Sequence, residues 1–301
     1  MAVYSIKDLE RLTGIKAHTI RIWEKRYQIV EPERTDSNIR TYCDNNLKKL
    51  LNISILNRSG IKISTLCKLS DDQIREKVLL SLKPETDFSS QIESMVVAMI
   101  ELNEERFEWL LNQSITKIGF EETLFNIIYP FYEKVGLLWL TGTICPAQEH
   151  FISNLIRLKL SVAIDGLPSV TAPDAKRIIL FLPEWEMHEL GLLTYFYMAR
   201  KQGLKVFYLG QNVPAADVYD LITTAKPDFL GLYLVVPTEE EVLKTYIQNL
   251  SAHFDNGTIF ISGSQASAIS DILPSNVTYV PGAIEFKMQF EYLNNHINVL
   301  N

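Results

Sequence analysis

The sequence predicts a multidomain chain of the α + α/β class, helical to about residue 170 and alternating between strands and helices beyond residue 174. Three observations predict it. Along the first stretch apolar residues recur three and four apart, the spacing that gathers them on one face of a helix. After Pro173-Asp174 the period changes to short β-rich runs separated by helical segments. Charge divides the chain as well: residues 1–70 hold 13 Lys or Arg against 7 Asp or Glu, a surplus of +6, so the net −7 of the whole leaves −13 for the remainder. Only the first segment is therefore suited to a polyanion. With 301 residues, 47% of them apolar, and no run of eighteen apolar residues, the chain has room for two or three domains and offers no candidate membrane span.

In the first segment Ser5 caps a short helix, Ile6 to Leu12, that stops at Gly14, and a second helix runs from about Lys16 to Tyr27. A polar stretch with Pro32, Asp36, Ser37 and Asn38 is too short and polar for a core element, and an amphipathic helix follows from Asp44 to about Arg58. Helix, tight turn, helix, hairpin-like wing, helix is the order of a winged helix-turn-helix, assigned to residues 1–70. Residues 71–170 read as a four-helix bundle, with apolar periodicity along Ile92 to Leu102, Phe107 to Ile118, Leu124 to Trp139 and Ala147 to Leu160. Pro130 sits inside the third of these helices, where it removes a backbone donor and is expected to kink it.

Five β-rich runs are expected in residues 174–301: Arg177 to Leu182, Lys205 to Leu209, Asp228 to Val235, Gly257 to Ser262 and Val277 to Val280. Strands separated by helices imply right-handed crossovers and a Rossmann-like, flavodoxin-like five-stranded parallel sheet, closed by a helix from Ile284 to about Asn295. The N-terminus, Met1 to Asp8, lacks a basic start, an apolar core and a small-residue cleavage site, so no signal peptide is expected. Cys43, Cys67 and Cys145 lie far apart, without the paired spacing of zinc or redox sites, which fits a cytoplasmic location.

In the second helix His18, Arg21 and Lys25 are three and four apart and share a face, while Ile20, Trp23 and Tyr27 supply apolar surface for packing. Arg and Lys on such a face can fork onto guanine edges or neutralise phosphates, and Arg34 and Arg40 flank the wing turn, within reach of a neighbouring backbone. The blocks Tyr4-Ser-Ile-Lys-Asp-Leu-Glu-Arg-Leu-Thr-Gly-Ile, His18-Thr-Ile-Arg-Ile-Trp-Glu-Lys-Arg-Tyr, Arg34-Thr and Asn38-Ile-Arg-Thr-Tyr42 fall in the order of the MerR family's DNA-binding domain, which this segment closely resembles over about seventy residues. That resemblance implies double-stranded DNA as partner, with His18, Thr19, Arg21, Lys25 and Arg26 on the groove-facing helix and Arg34, Arg40 and Tyr42 as wing and backbone contacts. A palindromic operator and a homo-oligomer, dimer or tetramer, follow from the few contacts one small module can make.

The bundle and the sheet, in place of one long dimerisation helix, make the chain similar to the CarA, CarH and LitR subgroup of that family along nearly its whole length. Trp139, then nine residues, then Glu149-His150 resembles the cap over the upper face of cobalamin in these regulators. Glu186-Met-His188-Glu-Leu-Gly191, at the end of the first strand, looks like the Asp/Glu-x-His-x-x-Gly motif of cobalamin-binding domains. The resemblance implies that His188 is the lower axial ligand to cobalt and that Glu186 orients its second nitrogen. Tyr208-Leu-Gly-Gln-Asn-Val-Pro214 also resembles these domains. Three departures stand out: Tyr233 replaces a Ser beside the buried nucleotide tail, Gly263-Ser264 replaces paired glycines after the fourth strand, and Leu140 replaces a His that follows the Trp in light sensors.

Three functions are compatible with these features. One is a DNA-binding regulator, expected to be a repressor and not an enzyme, whose cobalamin-binding module controls oligomerisation. Another is a DNA-binding regulator whose degenerate corrinoid fold answers a different ligand or a protein partner such as an anti-repressor. The third, a corrinoid-dependent enzyme or methyl shuttle, gives the N-terminal winged helix no task.

Overall fold

The computed structural model describes residues 4–34, 38–81, 88–140 and 144–289. It divides into two compact units, residues 1–155 and 156–301.

In the first unit α1 (Ile6–Thr13) begins at Ser5, whose hydroxyl accepts from the Asp8 amide while the Asp8 carboxylate accepts from the Ser5 amide at 2.8 Å. It ends at Gly14, in the left-handed region at φ 71°. α2 (Ala17–Tyr27) starts against Glu10 of α1, whose carboxylate accepts from the Ala17 amide at 3.1 Å and pairs with Lys16. The wing is the antiparallel pair β1 (Glu33–Arg34) and β2 (Arg40–Thr41), with Arg34 opposite Arg40. Asp36 and Ser37 of the expected wing turn lie outside the described residues.

α3 (Asp44–Arg58) is buried from Leu50 through Leu56 without a break, because α1 packs on one side of it and α6 on another. Short α4 (Ile63–Leu66) and α5 (Asp71–Ser81) lead to α6 (Phe88–Ile100), α7 (Glu104–Ile118), the four-residue α8 (Phe120–Thr123), α9 (Tyr129–Leu140) and α10 (Pro146–Asp165). The third expected bundle helix is continuous from Phe120 to Leu140, but Leu124–Ile128 winds as a π-helical turn, closed by the Tyr129 amide on the Leu124 carbonyl. The perturbation expected at Pro130 thus sits immediately before it, where a wider turn accommodates a residue with no amide hydrogen.

Glu93 of α6 is a carboxylate in this apolar interior, 2% exposed, and every partner is polar or cationic. Arg58 of α3 grips it through two nitrogens at 3.0 and 2.7 Å, Ser54 donates at 2.7 Å, and Lys134 of α9 lies 3.5 Å away. Lys134 also reaches the Leu12 carbonyl at the end of α1. One charge therefore ties α1, α3, α6 and α9 together, and its burial is tolerated only because the geometry is complete.

The second unit holds a five-stranded parallel sheet in the order β4-β3-β5-β6-β7: β3 (Arg177–Pro183), β4 (Lys205–Val213), β5 (Phe229–Tyr233), β6 (Thr258–Ser262) and β7 (Val277–Tyr279). Helices α11 (Glu189–Lys201), α12 (Ala215–Ala225), α13 (Glu240–His253) and α14 (Ser264–Ala268) connect them, and residues 283–289 are helical. The rest of the expected last helix lies outside the described residues. Ile179, Phe181, Leu230, Leu232, Ile259 and Ile261, alternate residues of the central strands, point into one core with Leu243, Ile247 and Leu250 of α13, and Ile178, Leu180 and Phe260 between them are buried too, as in strands covered on both faces. Strand order changes direction between β3 and β5, and the crevice at the C-terminal ends of those two strands is where such a sheet receives ligands. β5 stops at Tyr233, two residues before the expected end: the Leu234 amide still bonds the Ser262 carbonyl of β6, but those of Val235 and Val236 are taken by a side chain of the β3 loop.

Replacing Glu93 by Ala strands Arg58 and Lys134 beside an emptied site and is expected to destabilise the first unit by about 3 kcal/mol or more. Urea unfolding of the full chain measures it, and a loss under about 1 kcal/mol would show that the charges are solvated rather than held.

Candidate functional site

On α2, Ile20 and Trp23 are buried, and His18, Arg21, Lys25 and Arg26 are exposed, so the helix presents a cationic face opposite its packed one. Thr19 is half-buried, and the Arg26 guanidinium lies 5.7 Å from the Tyr27 ring centre. Arg34 is exposed on the wing and donates to Asn38. Arg40 and Tyr42, expected as wing and backbone contacts, are both engaged by Glu24 in the middle of α2: Arg40 at 3.0 Å through its Nε, and the Tyr42 hydroxyl at 3.2 Å. Tyr42 is 2% exposed, and burial, followed by the Glu24 carboxylate, pushes its phenol up to about 12. Glu24 therefore locks the wing strand to the helix whose outer face carries Arg21. Sequence reasoning missed this residue; its signal was a lone acid inside the basic run Trp23-Glu24-Lys25-Arg26.

In the helical part of the same unit Trp139, near the end of α9, is 49% exposed. On α10 the Glu149 carboxylate lies 3.0 Å from His150 Nδ1 and accepts from Ser153, which in turn receives the Tyr132 hydroxyl. The Glu-His pair is thus held at the surface with its imidazole outward.

In the second unit Glu186 and His188 lie in the loop between β3 and α11. Glu186 is fully buried, yet its carboxylate is saturated by five donors. Oε1 accepts from the amides of Met187 and His188, both at 2.9 Å, and from His188 Nδ1 at 2.7 Å. Oε2 accepts from the amides of Val235 at 2.6 Å and Val236 at 2.8 Å, beyond the end of β5. Burial pushes this carboxyl up, but the His188 ring and the amides of Val236, Val235 and His188 outweigh it and hold it at about 2. An ionised carboxylate only accepts, so the proton between the two groups belongs to Nδ1, and Nε2 is the remaining ring nitrogen of a side chain that is 58% exposed. The Tyr208 to Pro214 run supports this loop from β4: Gln211 donates to the Met187 carbonyl at 2.7 Å and Tyr208 to Glu189 at 2.9 Å.

Behind His188 the switch-point crevice is closed. Glu186 bridges it from the β3 loop to the β5 loop, and the Tyr233 ring lies so near Gly191 that a Cβ there would stand 2.6 Å from it. Tyr195 packs edge-on to Tyr233 at 5.8 Å and stacks on Phe286 at 3.9 Å. Gly263, at φ 95°, lets the β6 loop press on the Leu234 backbone, where a Cβ would meet the carbonyl oxygen at 2.2 Å, and Ser264 is exposed beside it. One imidazole is one ligand, so a metal held there brings the rest of its coordination sphere, as a corrin does. The donor atom fits the cobalt of a corrinoid; the crevice behind it does not admit an inserted arm.

Because the Glu186 carboxyl is held below the ordinary glutamate range, it contributes stability that is fully present above roughly pH 4.3 and fades as pH falls toward 2, on the order of 3 kcal/mol in total. The stability gap between the wild-type chain and Glu186→Gln, read from denaturant unfolding, is therefore expected to be widest near neutral pH and to narrow below pH 4. A gap that widens with acid would reverse the assignment.

Residues 4–73 match the family described as "MerR HTH family regulatory protein", and residues 91–164 match "B12 binding domain". The HTH-type transcriptional repressor CarH of Myxococcus xanthus is 28% identical over 273 residues, which cover 87% of this chain and 89% of CarH. The repressor CarA of the same organism is 27% identical over 233 residues, 76% of each chain. Among solved structures, the monomethylamine corrinoid protein of Methanosarcina barkeri shares the fold, with a TM-score of 0.55 at 16% identity, covering 68% of this chain and 100% of that one. The chain therefore joins a MerR-type helix-turn-helix to a B12-binding-type domain and is homologous, over most of its length, to the CarH and CarA transcriptional repressors.

Proposed function

We propose that the chain is a cytoplasmic DNA-binding transcriptional repressor whose C-terminal module holds a corrinoid through His188 and whose assembly on the operator answers to it. The carrying observation is the pair of prepared surfaces on one chain: the cationic face of α2, braced against the wing by Glu24, and the His188 imidazole, oriented by a saturated buried carboxylate. The relatives it matches over most of its length are regulators, which supports the same reading. Arg21 reads base edges, His18, Thr19, Lys25 and Arg26 grip the groove and its phosphates, and Arg34, with Arg40 and Tyr42 set by Glu24, positions the wing. A two-fold dimer on a palindromic operator, with a tetramer as higher assembly, supplies the second half-site. In the second unit His188 would hold the cobalt of a corrinoid through its imidazole, with Glu186 setting the orientation of that ring; in the first unit Trp139, Glu149 and His150 are the residues that match the family's cap. When bound, the corrinoid supplies a cobalt centre whose axial ligand can change; the chain's own residues hold and orient it.

A second reading is favoured by Tyr233, whose ring fills the crevice: a regulator that binds DNA in the same way but answers another ligand, or a protein anti-repressor, through a module that holds no corrinoid.

Full-length protein incubated separately with aquocobalamin and aquocobinamide, then desalted, is expected to retain coloured corrinoid from at least one of them. Glu186→Gln should weaken that binding by about 10- to 100-fold, as loss of an outer-shell partner does, and His188→Ala should abolish the spectral change that accompanies imidazole ligation. A colourless protein in both incubations selects the second reading.

On DNA, Arg21→Ala is expected to lower operator affinity by about 1–3 kcal/mol and to relax the preference at one base position. Binding measured across operator variants at several salt concentrations checks this. A loss that is equal for every sequence and vanishes with salt would make Arg21 a phosphate contact.

A further inference from the structure

Corrinoids differ in what hangs from the lower face of the macrocycle. In cobalamin a nucleotide arm ends in a base that ligates cobalt itself; when a protein imidazole takes that position the arm is released on the same face, beside the imidazole, and has to be housed there. The space beside His188 is the crevice between the β3 and β5 loops. Four observations show it filled rather than lined. The Glu186 carboxylate spans the crevice and is bonded to both loops, so the loops cannot part without breaking two short hydrogen bonds. The Tyr233 ring occupies the gap up to Gly191, at a distance that leaves no room even for a methyl group. Tyr195 and Phe286, both fully buried, back that ring as an aromatic stack. The β6 loop, through Gly263, closes on the Leu234 backbone from the other side. Outside the crevice, by contrast, Met187 and His188 are exposed on the rim, with the imidazole oriented.

We propose that Tyr233 is the specificity-determining residue of this site and that it selects corrinoids without an inserted nucleotide arm: the ligand seats on the rim through His188 and leaves the crevice shut. This rests on the corrinoid reading of His188 above and adds to it which members of that class the site takes. Opening the crevice for an arm requires the half-buried Tyr233 ring to leave its edge-on contact with the buried Tyr195 and its place against Gly191, and so to give up packing that the closed crevice keeps.

The test compares aquocobinamide, which lacks the nucleotide arm, with aquocobalamin, both titrated into the full chain and followed by visible absorbance and by retention on desalting. Cobinamide is expected to bind at least about tenfold more tightly, with a spectral shift that His188→Ala removes. In Tyr233→Ser the preference should shrink by a similar factor because cobalamin gains affinity, whereas Tyr233→Phe, which keeps the ring, should retain the wild-type preference. Equal or tighter binding of cobalamin by the wild-type chain would overturn this specificity while leaving the corrinoid reading intact. Binding of neither compound would overturn that reading and the specificity with it. The wild-type comparison holds even if Tyr233→Ser folds poorly, since it needs no variant.

Discussion

A fully buried carboxylate survives only if its lone pairs are answered, and Glu186 is answered five times. That single constraint organises the ligand end of the second unit. It claims the Val235 and Val236 amides just beyond β5, it binds the β3 and β5 loops across the point where strand order reverses, and it places the proton it shares with His188 on Nδ1. The same bonds that prepare the imidazole also hold the crevice behind it shut, so ligand orientation and exclusion from the interior have one origin.

A parallel solution governs the first unit. Glu93 is nearly as deeply buried as Glu186, but its donors are side chains of other helices, Arg58, Lys134 and Ser54, where those of Glu186 are mostly backbone amides. The Glu186 arrangement joins two loops at the end of the sheet; that of Glu93 ties α1, α3, α6 and α9. On α2 a third acid, Glu24, joins helix to wing by holding Arg40 and Tyr42. Each of these acids sets the direction of a cation or an imidazole.

Much of this was legible from residue order. The Ser5 and Gly14 caps, the division of α2 into an apolar and a cationic face, the five strands and the placement of Glu186-x-His188 after the first of them all follow from local chemistry that needs no distant partner. What was not legible depends on pairs brought together by the fold. Arg58 and Glu93 are separated by 35 positions, and no local pattern announces their contact. Tyr233 was visible as a bulky substitution, but that its ring rests on Gly191, 42 residues earlier, required strand β5 to lie beside β3. Arg40 and Tyr42 looked outward because the sequence shows their charge and shape without showing Glu24 opposite them.

The all-round burial of α3 bears on how such regulators are dissected and recombined. Its Leu50 to Leu56 stretch serves two cores at once, one shared with α1 and the other with α6. A swap of DNA-recognition modules joined between residues 58 and 88 would set a foreign helix in place of α3 against α6 and would part Arg58 from Glu93. Chimeras with new operator preference should therefore graft the outer face of α2 and the wing alone, retaining α3 and its native neighbours as a common frame.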